Sequence, residues 1–511
     1  MVSVLAGNAR HHAISREHSV SDSAHFALVV LLTAAVGLVA VLSNRLTERV
    51  KVPVPLLVLV GAAAAARLIP SLQAPPERTV ERLVTVALVL ILFDGGAQIG
   101  WARFRAAAGP ILVVGVVGTF LTAAGAAVLL HAGFGMDWYL ALLVATAVAP
   151  TDPAVVFSVL GRREVAGRAG VILQGESGAN DPVGISLMSA LFAAGELSGH
   201  AVGRVGIEFV LQMAIGGVVG VVGGHGLVWF MRRVPLPSEG LYPLRTLACV
   251  LLLFGVATLA HGSGFLAVFV AGFVVGDARA PFKREIERFH AALASLAEIV
   301  AFVALGLTVT LSQLGHPNVW VPGLVLWAGI TFVIRPLAVG TCLLPAGLPR
   351  NERAFVVFAG LKGAVPILLG ELLRAAHIPD AERLYGIVVV VVLLSVAVQG
   401  GLVPTMARWL QIPMRPREPA PWSLGVRLRD EPERVQRLTV APGAPADGHT
   451  IADLADLFGD MWISLVVRDL NLVPVTSNTR LQAGDEVLVL AEPEVQRALA
   501  DLFERPVTPD G

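Results

Sequence analysis

Long apolar runs, recurring from residue 26 to residue 411 with short polar breaks, constrain this chain more than any other feature. About 20 apolar residues cross a bilayer core. By that rule thirteen candidate spans lie near 26–46, 53–69, 83–98, 108–131, 138–160, 169–195, 202–231, 241–261, 264–277, 289–314, 319–344, 353–374 and 384–411. Composition agrees: 55% of residues are hydrophobic and only 15% charged, with mean hydropathy +0.74. That is too little charge for a soluble surface of this length.

Charge placement then orients the spans, because Lys and Arg stay on the cytoplasmic side. Arg45, Arg49, Lys51, Arg103, Arg105, Arg162, Arg163 and Arg168 fall after the first, third and fifth spans. Arg232, Arg233, Arg279, Lys283, Arg284, Arg288, Arg350, Arg353, Arg408, Arg415 and Arg417 continue the same alternate set, with Arg245 flanking it. The opposite set holds only Arg67, Arg78, Arg82, Arg204, Arg374 and Arg383. The asymmetry predicts a plasma-membrane protein with its N-terminus outside and its C-terminus in the cytoplasm. Formal net charge is zero, which gives no sign of a nucleic-acid partner. Cys249 and Cys342 lie inside apolar runs, which argues against a structural disulfide. Residues 1–25 are polar and lack a signal-peptide pattern, so they are expected to be a disordered tail.

After Ile412 the composition changes. Pro413, Pro416, Pro419 and Pro421 mark a linker over 412–423. Residues 424–511 are expected to form a small cytoplasmic α/β domain. Strands are predicted at Val435–Ala441, Ile463–Arg468, Leu472–Thr476 and Glu486–Leu490, and helices at Thr450–Phe458 and Val495–Phe503. The membrane part, 26–411, is all-α. With the seventh span as a linker, spans one to six and eight to thirteen form two inverted six-span repeats. Paired interrupted helices at matching positions point to a binding site in such transporters. The fifth span is interrupted at Ala149–Pro150–Thr151–Asp152–Pro153, and its counterpart, the twelfth, at Gly360–Leu361–Lys362–Gly363–Ala364–Val365–Pro366.

Ionisable residues deep in spans are costly and therefore functional suspects. Here they are Asp94, Asp152, Glu176, Asp181, Glu298, Arg335 and Lys362; Glu208, Arg245 and Glu371 lie nearer span ends and can snorkel. The densest cluster is Gly175–Glu176–Ser177–Gly178–Ala179–Asn180–Asp181–Pro182 in the sixth span. Ser177 and Asp181 share a helix face, with Glu176 and Asn180 on an adjoining one. Pro182 donates no backbone hydrogen bond and disturbs the Gly178 carbonyl. Such oxygen groups can replace the water shell of a hard monovalent cation. A proton can take the same carboxylate, because desolvation penalises its ionised form. A structural polar network between helices is the plainer role for the cluster. Asp152 is placed to cap a half-helix starting at Pro153, to contact an ion, or both. Lys362 is placed to offset the negative end of the half-helix before it. Arg335, beside Pro336, needs a buried carboxylate, with Glu176 preferred and Glu298 second. Asp94 offers either a second carboxylate or a helix-end hydrogen bond.

Together these motifs resemble the cation:proton antiporter superfamily, in its electroneutral sodium(potassium)/proton exchanger branch. Thr151–Asp152–Pro153 resembles the family's broken helix, and Asn180–Asp181 its ion-binding pair. Arg335 and Glu176 resemble its buried ion pair. Gly360–Val365 resembles its Gly-Leu-Arg-Gly-Ala-Val stretch, with Lys362 replacing Arg, so charge is kept and bidentate contact is not. Ser263–Val268 and Ala297–Glu298 are also similar. Glu176–Pro182 and Phe93–Gly96 are closest to the potassium/proton antiporters. Arg468–Asp469, Val473–Pro474 and Leu481–Asp485 resemble the C-terminal lobe of RCK domains, the TrkA-C type.

The resemblance implies alternating access at Asp181, with crossed broken helices. Asp181, Asn180, Ser177, Thr151, Asp152 and Asp94 would form the cation and proton site. Glu176 and Arg335 would be a structural pair. Lys362, Pro153, Pro366 and Glu298 would support the breaks. It implies transported K⁺ or Na⁺ and H⁺, no cofactor, a homodimer in the membrane, and a small ligand on the C-terminal domain. Electrogenic relatives typically carry two aspartates where this chain has Asn180–Asp181, so electroneutral exchange is expected. A sodium-selective antiporter is the alternative within the class. An RCK-gated cation channel needs a carbonyl filter loop, and no Thr-Val-Gly-Tyr-Gly-like segment is present. A transporter-like sensor would need an output domain, and no kinase or cyclase motif follows the linker. No metal cluster, nucleophile elbow or phosphate loop in the sequence suggests an enzyme.

Overall fold

The computed structural model describes residues 38, 54–68, 76–160, 163–196, 199–309, 314–416, 435–458, 461–468, 471–491 and 496–504. The expected tail at 1–25, nearly all of the first span at 26–46, and most of the linker lie outside the described residues. The chain divides into two compact units, Met1–Arg417 and Glu418–Gly511.

The described residues of the first unit are almost wholly helical. In chain order it holds α1 (Val54–Leu68), α2 (Glu77–Ile99), α3 (Trp101–Phe134), α4 (Trp138–Val148) and α5 (Pro153–Leu160). Then come β1 (Arg163–Val165), α6 (Gly167–Ala194), α7 (Gly199–Arg233), α8 (Leu241–Leu259), α9 (Gly264–Gly276) and α10 (Lys283–Thr308). The unit ends with α11 (Pro317–Cys342), α12 (Arg350–Phe358), α13 (Ala364–Ala375), α14 (Ala381–Trp409) and β2 (Met414–Pro416).

Among the described residues, seven helices are long and apolar enough to cross a membrane. The physical reason that others fall short is local. α6 is 28 residues long, but its middle carries the polar Gly175–Pro182 stretch. The fifth and twelfth spans are each cut into two short helices, α4 with α5 and α12 with α13.

Among the described residues, three helices contain a π-helical stretch: Val113–Gly118 in α3, Ile330–Ile334 in α11 and Ser395–Gly400 in α14. Such bulges often sit at functional sites. Here Gly115 packs on Ala179 of α6, Ile334 precedes Arg335, and the third stretch supplies Ser395 and Gln399. α2 and α9 pack backbone to backbone. A Cβ at Gly96 would strike the Phe269 carbonyl, and one at Gly276 would lie 2.5 Å from the Ala97 carbonyl.

Three expectations are corrected. The linker at 412–423 does not begin as one: Met414–Pro416 pairs antiparallel with Arg163–Val165, and Ala166 N donates to Pro413 O at 2.9 Å. The extended, proline-flanked backbone suits an edge pairing. Glu371 does not snorkel; it is fully buried, and Arg374 Nη1 bonds both its oxygens at 3.2 and 3.1 Å. Arg374 also bonds Glu382 at 2.8 Å. Arg245 is likewise buried, with Nη1 donating to Val234 O at 2.7 Å and the guanidinium 5.0 Å from the Tyr242 ring.

The described residues of the second unit form a four-stranded antiparallel sheet with two helices. β3 (Val435–Thr439), α15 (Ile451–Phe458), β4 (Met461–Arg468), β5 (Asn471–Val473), β6 (Glu486–Ala491) and α16 (Gln496–Phe503) follow in order. The strand order is β3-β6-β4-β5. Val487 and Val489 alternate into a core with Leu438, Leu454, Val466 and Phe503. Each strand and helix predicted from the sequence overlaps one of these elements.

Candidate functional site: two helix breaks and a buried carboxylate

α4 starts on an Asp137 cap, whose side chain accepts from Tyr139 N at 2.9 Å. It stops at Val148 because Pro150 cannot donate and Pro153 disfavours helix at Asp152. α5 then restarts at Pro153, whose fixed φ suits a first turn. α12 stops at Phe358, and α13 restarts at Ala364 after the extended Gly363 (φ −115°, ψ −140°). Pro366 lies in the first turn of α13, where its missing N–H costs no helix bond.

The two breaks lock each other. Asp152 N donates to Leu361 O at 2.8 Å. Lys362 Nζ donates to Ala149 O at 2.9 Å and Pro150 O at 3.1 Å. The Asp152 carboxylate lies against Gly363, where a Cβ would collide with it. The charges therefore work in exchange. Lys362 meets the negative end of α4, and Asp152 meets the positive start of α13. This corrects the expectation that Lys362 serves the half-helix before it. Side-chain reach across the crossing decides the partner, and sequence order does not.

α14 props the second break from behind. Lys362 N donates to Ser395 Oγ at 3.0 Å, and Ser395 Oγ to Gln399 Oε1 at 3.2 Å. Gln399 Nε2 donates to Phe358 O at 2.6 Å, and Thr331 Oγ1 bonds Gln399 Oε1 at 3.3 Å. Sequence reasoning missed these three residues. The signal was there: Ser395 and Gln399 stand four apart inside an otherwise apolar run.

α6 grips the first break. Thr151 N donates to Asn180 Oδ1 at 3.2 Å, and Asn180 Nδ2 donates to Thr151 Oγ1 at 2.7 Å. Ser177 Oγ donates to Thr151 O. All three polar groups of Thr151 are thus held by α6. A Cβ at Gly184 would strike Pro150, so α6 approaches the break closely. Asp181 follows Asn180 on the same helix. It is only 8% exposed, and its Oδ1 has no hydrogen-bond partner among the described residues.

Arg335 Nη2 donates to Glu176 Oε1 at 2.8 Å, with the two side chains 3% and 2% exposed. Arg335 Nε also donates to Val357 O at 3.1 Å. Gly360 is required there, because a Cβ would overlap the guanidinium. Glu298 is not the partner of Arg335; it lies half-buried on α10. Asp94 is buried on α2, and Gln98 Nε2 of the same helix donates to its Oδ2 at 2.6 Å. The structure thus joins Thr151, Asp152, Ser177, Asn180 and Lys362 in one polar centre beside Asp181.

Residues 30–409 match the sodium/hydrogen exchanger transmembrane family, and residues 435–504 match the TrkA-C domain. The chain belongs to the sodium/hydrogen exchanger family. It is 31% identical to the K(+)/H(+) antiporter NhaP of Alkalimonas amylolytica, covering 93% of this chain and 83% of that one. It is 32% identical to the K(+)/H(+) antiporter NhaP2 of Shewanella oneidensis, over 95% and 84%. The Na(+)/H(+) antiporter NhaS2 of Synechocystis sp. is 25% identical over 75% and 70%. In fold, the exchanger unit resembles the sodium proton antiporter MjNhaP1 of Methanocaldococcus jannaschii, with TM-score 0.64 and 21% identity. That likeness covers 76% of this chain and 99% of the other.

Proposed function

We propose that this exchanger is an electroneutral cation/proton antiporter that carries potassium and protons alternately on Asp181. The observation that carries the reading is the buried Asp181 Oδ1, which has no hydrogen-bond donor among the described residues. It stands beside a centre whose other polar groups are engaged with one another. A carboxylate oxygen so placed can be neutralised by a proton or a weakly hydrated cation. Glu176 Oε2 is likewise without a hydrogen-bond partner among the described residues, but Arg335 balances the charge of Glu176, and this favours Asp181 as the carrier. One carboxylate that takes either H⁺ or one monovalent cation swaps equal charges. Asn180 supplies no second acid, and its amide holds Thr151. The names of the NhaP and NhaP2 relatives favour potassium; a sodium-selective exchanger is the second reading, supported by the name of the more distant NhaS2.

The proposed architecture is thirteen spans in two inverted repeats, 26–411, with the seventh span between them. Two parallels between the halves support it. The fourth and eleventh spans both contain a π-helical stretch, and the fifth and twelfth are both broken. The Lys and Arg asymmetry supports an outside N-terminus and a cytoplasmic C-terminal domain at 424–511 in the plasma membrane. We take the active form to be a homodimer, with the C-terminal domain open to a small regulatory ligand.

The test is proton flux in everted vesicles with K⁺ and Na⁺ compared. Asp181→Asn should insert normally and abolish exchange with both ions. A membrane-potential dye should stay silent during transport, and valinomycin with potassium should leave the initial rate unchanged at matched gradients. Near-normal exchange by the variant refutes the assignment of Asp181, and a clear current refutes electroneutrality.

A further inference from the structure

A cavity of about 390 Å³ opens beside the start of α6, lined by Arg103, Phe157, Arg168, Gly170, Val171 and Gln174 among others. Its walls carry the arginines assigned to the cytoplasmic side. Arg168 Nη1 is tied to Ala346 O at 2.9 Å and Arg103 Nη2 to Gln98 O at 2.7 Å, so the rim is positioned by backbone contacts. The cavity does not reach Asp181, which is not among its lining residues and whose Oδ1 is buried.

What separates them can be read around α6. At roughly 100° per residue, Gln174, Gly178 and Asp181 fall within about 60° of one another, and Gln174 lies about 10 Å below Asp181 along the axis. The cavity and the carboxylate thus share one helix face. Gly178 is the position on that face between them. It is covered by the Phe269 ring of α9, which leaves no room for a Cβ. The other faces are closed by different neighbours. Gly175 and Ala179 meet Ile111 and Gly115 of α3, Ser177 and Asn180 meet Thr151, and Glu176 meets Arg335. The Phe269 ring is itself backed by Phe273 at 4.4 Å, and Phe273 by Phe104 of α3 at 4.4 Å. The α9 backbone beneath it is fixed against α2 through Gly96 and Gly272. The backbone contact holds α9 in place, so in this closed arrangement the buried Phe269 ring can leave Gly178 only by turning about its own side-chain bonds.

We propose that Phe269 is the inner gate of the exchanger: its ring closes the α6 face over Gly178 and separates the Arg103–Arg168 cavity from Asp181. A glycine at 178 gives the ring a seat flush with the helix backbone, and rotation of the side chain away from that seat joins cavity to carboxylate. Phe269 positions access and does not ligate the cation. The inference rests on the reading of Asp181 as the carrier, but its test does not require transport.

Vesicles with the cytoplasmic face outward are treated with a membrane-impermeant cationic carbodiimide, and modification of Asp181 is followed by peptide mass spectrometry. A closed state that leaves the open one at about 10% or less should slow labelling, so Phe269→Ala should label Asp181 about tenfold faster or more. Phe269→Leu, which keeps most of the bulk, should fall between the two. Phe273→Ala removes the ring behind Phe269 but leaves Phe269 seated on Gly178, and should label well below the rate of Phe269→Ala. Equal rates for Phe269→Ala and the unsubstituted protein overturn the gate, as does Phe273→Ala labelling as fast as Phe269→Ala. If Phe269→Ala fails to fold, Phe269→Leu decides by the same comparison. Faster labelling in a protein that shows no cation-dependent proton flux keeps the gate and removes the antiport reading. Unchanged labelling with normal flux does the reverse.

Discussion

Removing Arg335 tests whether the Glu176 pair is structural, as its geometry indicates. The guanidinium makes a 2.8 Å bond to Glu176 Oε1 and a 3.1 Å bond to the Val357 carbonyl, and both partners of the ion pair are almost fully buried. Arg335→Ala strands a buried carboxylate. Breaking a buried pair from one side costs roughly 3–5 kcal/mol. The Val357 carbonyl, stripped of its donor, adds about 1–3 kcal/mol. Arg335→Ala should therefore lower unfolding stability in mixed-detergent titrations far more than it changes apparent cation affinity. Glu176→Gln removes the stranded charge, so the double variant should regain about 1–3 kcal/mol of the loss as a coupling energy. It should not regain all of it, because the space left beside Gly360 remains. A double variant no more stable than Arg335→Ala refutes the pairing argument. So does a single variant that is fully stable and has lost only cation affinity.

Two further outcomes concern the C-terminal unit. Truncation after Pro421 should leave measurable exchange and shift the pH profile or apparent cation affinity by about 5- to 150-fold at most, the range of allosteric coupling. Side-by-side reconstitution checks this, and a folded but wholly inactive truncated protein at every pH and cation level overturns it. Within that unit, Arg468 Nε and Nη2 bond the two oxygens of buried Asp485 at 2.8 Å each, and Gln482 N bonds Oδ2 at 2.9 Å. Burial alone pushes the Asp485 carboxyl up, but the Arg468 hydrogen bonds, the Gln482 N–H and the Arg468 charge hold it below the usual aspartate value. A carboxyl so lowered adds stability above its unfolded value of about 3.9, lost as pH falls through the folded value. Asp485→Asn should cost the unit about 1.5–3 kcal/mol at neutral pH and flatten its acid unfolding below about pH 4. Circular dichroism against pH reads both effects, and an unchanged acid limb counts against the account.

The sequence by itself determined where the chain is apolar, where it is broken and which buried residues bear charge. Those are local properties. Pro150 and Pro153 interrupt a helix whatever surrounds them, and a carboxylate such as Asp181 inside an apolar run is conspicuous in one dimension. The strands of the C-terminal unit were legible for the same reason, since the alternation of Val487 and Val489 is written along the strand. The tertiary structure decided which group answers which. Lys362 serves the carbonyls of Ala149 and Pro150, more than 200 residues away in sequence, because the two breaks cross. Ser395 and Gln399 became part of the centre only because α14 packs behind the second break. Glu371 reads as a snorkelling residue in one dimension, because its place near a span end is visible there and its burial against Arg374 is not. Phe269 carries no sequence signal at all, being one apolar residue in an apolar helix. Its place over Gly178 follows from the backbone contact of α9 with α2, which only three-dimensional packing can set.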